Sequence, residues 1–146
     1  MSRLINPDTA GKQRTQLMKG VAHTLRALAA KQKVDDETRD MVAFLALVLS
    51  QIHETIDVTC LAWEKRDYWL KADQFRREWA WAGRTGEKLE RVALGEDWPN
   101  LPVLMVELSK HLEKVVLPKR NTLGTPWTGA LVKLKEERDF VEEPVK

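Results

Sequence analysis

The chain predicts an all-α fold: an up-down four-helix bundle with helices at about 7–30, 36–66, 70–94 and 101–116, then an extended crossing segment and a short C-terminal helix at about 126–138. Three observations predict it. No proline lies between Asp8 and Trp98, so a long stretch lacks the residue that breaks helices. Apolar residues in that stretch recur at alternating steps of four and three, the period of a helix face. All six prolines fall where a helix starts or stops. A chain of 146 residues suits one helical domain over 1–146, with loosely ordered tails at 1–5 and 140–146.

The first helix is expected from Pro7, with Asn6 as its cap and Asp8 at the positive end of its dipole. Leu17, Val21, Leu25 and Leu28 form its stripe, and Gly20 beside them leaves room for a neighbouring helix. Asp35 or Asp36 caps the second helix, whose stripe is Met41, Leu45, Val48, Ile52, Ile56, Thr59 and Trp63. Its first half is apolar almost all round, through Val42, Ala43, Phe44, Ala46, Leu47 and Leu49. Such a helix is buried on more than one side. Either the C-terminal segment covers it or a second copy of the chain does, which makes a homodimer the expected assembly.

Phase separates the second helix from the third. Ile52 and Trp79 are 27 residues apart, which at about 100° per residue turns Trp79 roughly 180° away from Ile52. One rod would point the two stripes in opposite directions, so a turn is expected at Arg66 to Leu70, with Asp67 as a cap. The third stripe is Ala72, Phe75, Trp79, Ala82, Gly83, Gly86, Leu89 and Ala93, and Gly95 is the expected stop. Leu101, Leu104, Leu108, Leu112 and Val115 form the fourth, before Pro118. Lys119 to Thr125 is the crossing, and Thr125-Pro126 opens the last helix.

The 24 basic and 22 acidic residues give a net charge of +2, too small to demand a polyanion partner. A single cysteine, Cys60, excludes an internal disulfide and a polycysteine zinc site. A cytoplasmic location is expected. The N-terminus shows no secretory h-region, and the longest apolar run, Met41 to Leu49, is far shorter than the ~20 residues of a spanning helix. No membrane partner and no cofactor are expected.

Three groups of residues invite a functional reading. On the second helix His53, Asp57, Cys60 and Glu64 share one face, and His111 with Glu107 on the fourth helix would complete a metal site if they faced it. The plainer reading, a polar cluster with His53 paired to Asp57, is favoured. The paired Glu-x-x-His motifs of bundle di-metal proteins are missing. The first helix carries no glutamate, so the paired acidic motifs of all-α nucleotide pyrophosphatases are not met either.

The second group is Arg77, Trp81, Arg84, Lys88 and Arg91 on the outer face of the third helix, with Trp81 nearly opposite Trp79. Basic residues around an exposed indole suit a nucleic acid or a protein interface. The pairs Asp73–Arg77 and Glu87–Arg91 offset that charge, and nucleic acid is not favoured. The third group is the crossing, where Lys119, Arg120 and Trp127 offer either an anion site or an anchor to the bundle; the anchor is favoured. His23 is expected in solvent. Gly11-Lys12 is not a P-loop, because Asn6 and Gln13 occupy the required glycine and hydroxyl positions. The function expected from the sequence is non-catalytic, through protein–protein contact or self-association. Nucleic-acid binding and a metal-dependent enzyme are the alternatives.

Overall fold

The computed structural model describes residues 6–120 and 122–142, with side chains as far as residue 139. Five α-helices account for most of them: α1 (Ala10–Ala29), α2 (Asp36–Lys65), α3 (Trp69–Gly95), α4 (Leu101–Lys110) and α5 (Ala130–Glu142). A single 3-10 turn, Trp98–Asn100, leads into α4, and there is no strand among the described residues. The all-α reading is correct.

Helix α2 is the hub: α1, α3 and α5 all pack on it. Leu45, Leu49 and Ile52 are fully buried there, each contributing roughly 1.5–3 kcal/mol by leaving water. The all-round apolar start of α2 therefore has its cover within the chain, since Trp127, Ala130 and Leu134 join the same core. Among the described residues α2 is also the one helix long and apolar enough to cross a membrane. Its packing by three other helices accounts for that composition.

Asp35 caps α2 by accepting from the Thr38 N–H at 2.8 Å. Lys31 reaches back to Asp35 at 2.7 Å and to Glu37 at 3.0 Å, so these carboxyls sit below their ordinary range. The turn between α2 and α3 spans 66–68. Asp67 adopts φ 66, its N–H bonds to the Glu64 carbonyl, and the Tyr68 N–H bonds to the Trp63 carbonyl. This is a Schellman closure with aspartate in the left-handed position that glycine usually takes. The expected turn is present, but Asp67 ends α2 rather than capping α3, whose N-cap Tyr68 makes no side-chain cap.

Other boundaries shift for identifiable reasons. The first helix begins at Ala10, not Pro7, because the Thr9 N–H bonds to the Asn6 carbonyl and closes a turn first. Gly95 is the last residue of α3, and Glu96 takes the left-handed conformation at φ 55. Helix α4 stops at Lys110 rather than 116: the His111 and Leu112 N–H groups turn to the carbonyls three residues back. Leu112 and Val115 still pack against the core, but from irregular chain. Helix α5 starts at Ala130 rather than 126. Its cap is not Thr125 but Asp40 of α2, which accepts from Gly129 N–H at 3.1 Å and Leu131 N–H at 3.0 Å. It runs to Glu142, past the expected 138, so the tail expected from 140 is helical that far. Residues 1–5 and 143–146, and Asn121 in the crossing, lie outside the described residues.

Candidate functional site

Helices α2 and α3 pack on each other, and glycines of α3 let them approach closely. A Cβ on Gly86 would lie 3.1 Å from the Leu49 Cβ. Beside that close approach runs a groove of about 420 Å³, floored by Ile56, Trp79 and Gly83 and rimmed by His53, Asp57 and Arg76. Its charges answer one another. His53 Nε2 lies 3.7 Å from Asp57 Oδ2, and Arg76 Nε lies 3.9 Å from Asp57 Oδ1. Arg76 also makes a two-pronged pair with Glu64, which lowers the carboxyl pKa and raises that of the guanidinium.

The residues proposed for metal divide. His53 and Asp57 meet, and Glu64 is drawn to the same arginine. His111 does not join them. It stacks on Trp81 at 3.9 Å between ring centroids, at the end of α4. Glu107 lines a separate groove with Lys88 and Arg91. Among the described residues no group of three or more His, Cys, Asp or Glu side chains is placed to hold a metal. Cys60 is buried and donates to the Ala72 carbonyl at 3.4 Å; burial pushes its thiol pKa up, which disfavours a reactive thiolate.

The face carrying Arg77, Trp81, Arg84, Lys88 and Arg91 is not a free outer surface. The end of α4 lies against part of it. Trp81 is half-buried between Trp79, 5.7 Å away, and His111. The expectation that Trp81 stands apart from Trp79 fails because a helical wheel fixes only the Cα–Cβ direction; the large indoles swing together beyond it. The aromatic rings instead form one line, Trp63–Phe75–Trp79–Trp81–His111. Arg77 pairs with Asp73 at 3.2 Å, and Arg84, Lys88 and Arg91 remain exposed.

Trp127 is the anchor of the crossing. It is buried, donates from Nε1 to Glu37 at 3.2 Å and stacks on His23 at 5.5 Å. His23 is not simply solvated: its Nε2 lies 2.7 Å from the Gly124 carbonyl, and because a carbonyl only accepts, Nε2 carries the proton. Lys119 and Arg120 are exposed and line, with Arg26, a hollow of about 170 Å³.

Two features escaped the sequence reading. One is Arg14, buried on α1 with no carboxylate partner among the described residues. It donates to the Thr59 hydroxyl at 3.0 Å and lies over the Phe75 and Trp79 rings at 5.0 and 5.6 Å. Burial lowers its pKa from the ordinary guanidinium value. The other is the hairpin tip, where Leu61, Tyr68, Trp69 and Leu70 are exposed beside Lys65, Arg66 and Lys71. The signal was present, since Leu61, Trp69 and Leu70 fit neither helical stripe.

No protein-family model, no curated protein and no solved structure matches this chain. The functional reading rests on the geometry.

Proposed function

We propose that this chain is a non-catalytic helical protein that acts by docking, through the end of the α2–α3 hairpin, onto the surface of a partner. One observation carries this. Tyr68, Trp69 and Leu70 are consecutive in the chain, and each exposes at least half of its surface, with Leu61 exposed nearby. A soluble chain has little reason to hold such a cluster in water unless something covers it. Of the two covers expected for the apolar start of α2, the C-terminal segment is the one seen, since α5 packs there, so this proposal does not rest on a homodimer seam at that face. The contact surface moves to the hairpin tip. Nucleic-acid binding along α3 is not favoured, because α4 takes up part of that face.

We read the supporting architecture as an up-down bundle of α1 to α4 with α5 laid over α2. The short connections at 30–35, 66–68 and 96–100 support this, because short links join antiparallel neighbours. A cytoplasmic setting belongs to the same proposal, supported by a single buried thiol that needs no disulfide partner.

Hydroxyl-radical footprinting tests the docking reading by comparing intact cells with the purified chain. Tyr68 and Trp69 are expected to be oxidised less in cells, while Val103 and Val106, exposed on α4, are expected to react equally in both. Equal oxidation of Tyr68 and Trp69 in cells and in the purified chain would overturn the reading.

A further inference from the structure

We propose that the partner of the hairpin tip is an anionic lipid surface. The inference rests on the docking reading and names its occupant. The apolar part of the tip is Leu61 at 54% exposure, Tyr68 at 51%, Trp69 at 59% and Leu70 at 87%. Tyrosine and tryptophan have an apolar body and one polar atom, which suits the boundary between headgroups and acyl chains. Leu70 has no polar atom and is the most exposed of the four, so it is the residue that inserts deepest.

A basic collar surrounds these side chains. Lys65, Arg66 and Lys71 are all exposed, and the Lys71 ammonium lies 4.5 Å from the Trp63 ring centroid. The acids just outside this segment are engaged elsewhere: Glu64 pairs with Arg76 and Asp73 with Arg77. Within 65–71 three cations face the one acid Asp67, a formal charge of +3 − 1 = +2.

The order along the chain selects the occupant. Cations at 65, 66 and 71 bracket the apolar run 68–70, so the partner must present negative charge and an apolar layer within a few ångströms of each other. A leaflet with acidic headgroups does this, and reversible attachment to one requires both an apolar wedge and a basic patch. A second copy docked tip to tip would set Lys65, Arg66 and Lys71 against their own counterparts, and like charges oppose that contact. Surface attachment of this kind needs no spanning segment.

Flotation of the full chain with vesicles tests the proposal. Vesicles containing roughly one-third phosphatidylglycerol are expected to carry the protein, phosphatidylcholine vesicles to carry far less, and added salt to release it. Replacing Trp69→Ser with Leu70→Ser is expected to weaken binding at least tenfold. Replacing Lys65→Gln with Arg66→Gln is expected to weaken it roughly thirtyfold at low salt. These positions are exposed, and circular dichroism is expected to show that each variant keeps its helices. Val103→Ser on α4 is the control and leaves binding unchanged.

No flotation with phosphatidylglycerol vesicles at low salt overturns the proposal, as does flotation indifferent to the tip variants. Binding to a poly-glutamate peptide in place of vesicles reassigns the tip to an acidic protein. Self-association that depends on Trp69 and Leu70 reassigns it to a second copy. Protection of Tyr68 and Trp69 in cells without vesicle binding leaves the docking reading standing and overturns the lipid assignment alone.

Discussion

The two ends of the α2–α3 hairpin are built differently. At the end where α2 begins and α3 finishes, the main core closes on every side. Helix α1 covers one flank of α2 and α5 another, Trp127 plugs the gap between them, and Arg138 of α5 pairs with Glu90 of α3. Toward the turn end, α1 reaches the hairpin through Arg14, which donates to the Thr59 hydroxyl. The core there is small, just Ile56, Cys60 and Ala72, with Trp63, Phe75 and Trp79 half-buried around it. Arginine fills the space that apolar side chains fill at the other end, with Arg14 held under two aromatic rings. The difference separates what holds the fold from what faces outward. The closed end holds the larger buried core, and the open end presents the exposed tip.

The comparison breaks most visibly at its largest expected effect. Trp127→Ala removes a buried indole and leaves Glu37 without its Nε1 donor, and is expected to cost about 3–5 kcal/mol. Phe75→Ala removes a half-buried ring at the open end and is expected to cost roughly 1–2 kcal/mol. Urea unfolding midpoints of the two variants measure the contrast. Equal losses would mean that the open end is as firmly built as the closed one. Hydrogen exchange gives the same test without mutation: amides near Ala72 are expected to exchange faster than those near Leu89.

The next effect tests where the helices touch. Alanine improves helix propensity over glycine by roughly 1 kcal/mol. At Gly86, toward the closed end, the new Cβ meets the Leu49 Cβ at 3.1 Å with the Ala46 carbonyl at 3.6 Å. Both belong to a rigid neighbour, so overpacking outweighs propensity and Gly86→Ala is expected to destabilise by about 1 kcal/mol. At Gly83 the new Cβ meets the His53 ring at 3.1 Å. That ring is half exposed and held loosely, by a 3.7 Å contact to Asp57, so it can shift, and Gly83→Ala is expected to stabilise by up to about 1 kcal/mol. Thermal melts of the two single variants decide it, and shifts of the same sign would contradict the picture.

The same asymmetry explains what the sequence made legible. Periodicity located α2 and α3 within a residue or two and found their turn, because apolar stripes record which faces are buried and the phase between Ile52 and Trp79 cannot be satisfied by one rod. It could not show that Asp40, embedded in α2, caps α5 about ninety residues later, since tertiary caps leave no local signal. It overextended the fourth helix because Leu112 and Val115 keep the helical spacing while the backbone has already turned. The candidate site was less legible than the fold. Helical spacing brings His53 to Asp57, while Glu64 pairs with Arg76, and only the packing of α4 shows that His111 lies on Trp81 instead. The tip left no periodic signal, because Leu61, Trp69 and Leu70 fit no apolar stripe.

The smallest effect concerns that His111–Trp81 stack, which ties α4 to the aromatic line running toward the open end. Burial lowers the His111 pKa, and the charge of Arg84 lowers it further; Glu107 opposes these and Lys110 adds to them. The unfolded chain therefore binds this proton more readily than the folded one, since a free histidine titrates near 6.5. Stability from the neutral stack is fully present above about pH 6.5 and is lost as the pH falls through the lower folded value. The acid-side losses expected from Asp35, Glu37 and Glu64, whose carboxyls are held below their ordinary range, set in below about pH 5, under both pH values compared below. Urea midpoints at pH 7.5 and pH 5.5 are expected to show a modest loss for the wild type. In His111→Phe, which keeps an aromatic ring on Trp81 but cannot be protonated, that loss is expected to shrink. An identical pH response in both proteins would mean that the stack does not couple α4 to the aromatic line in this way.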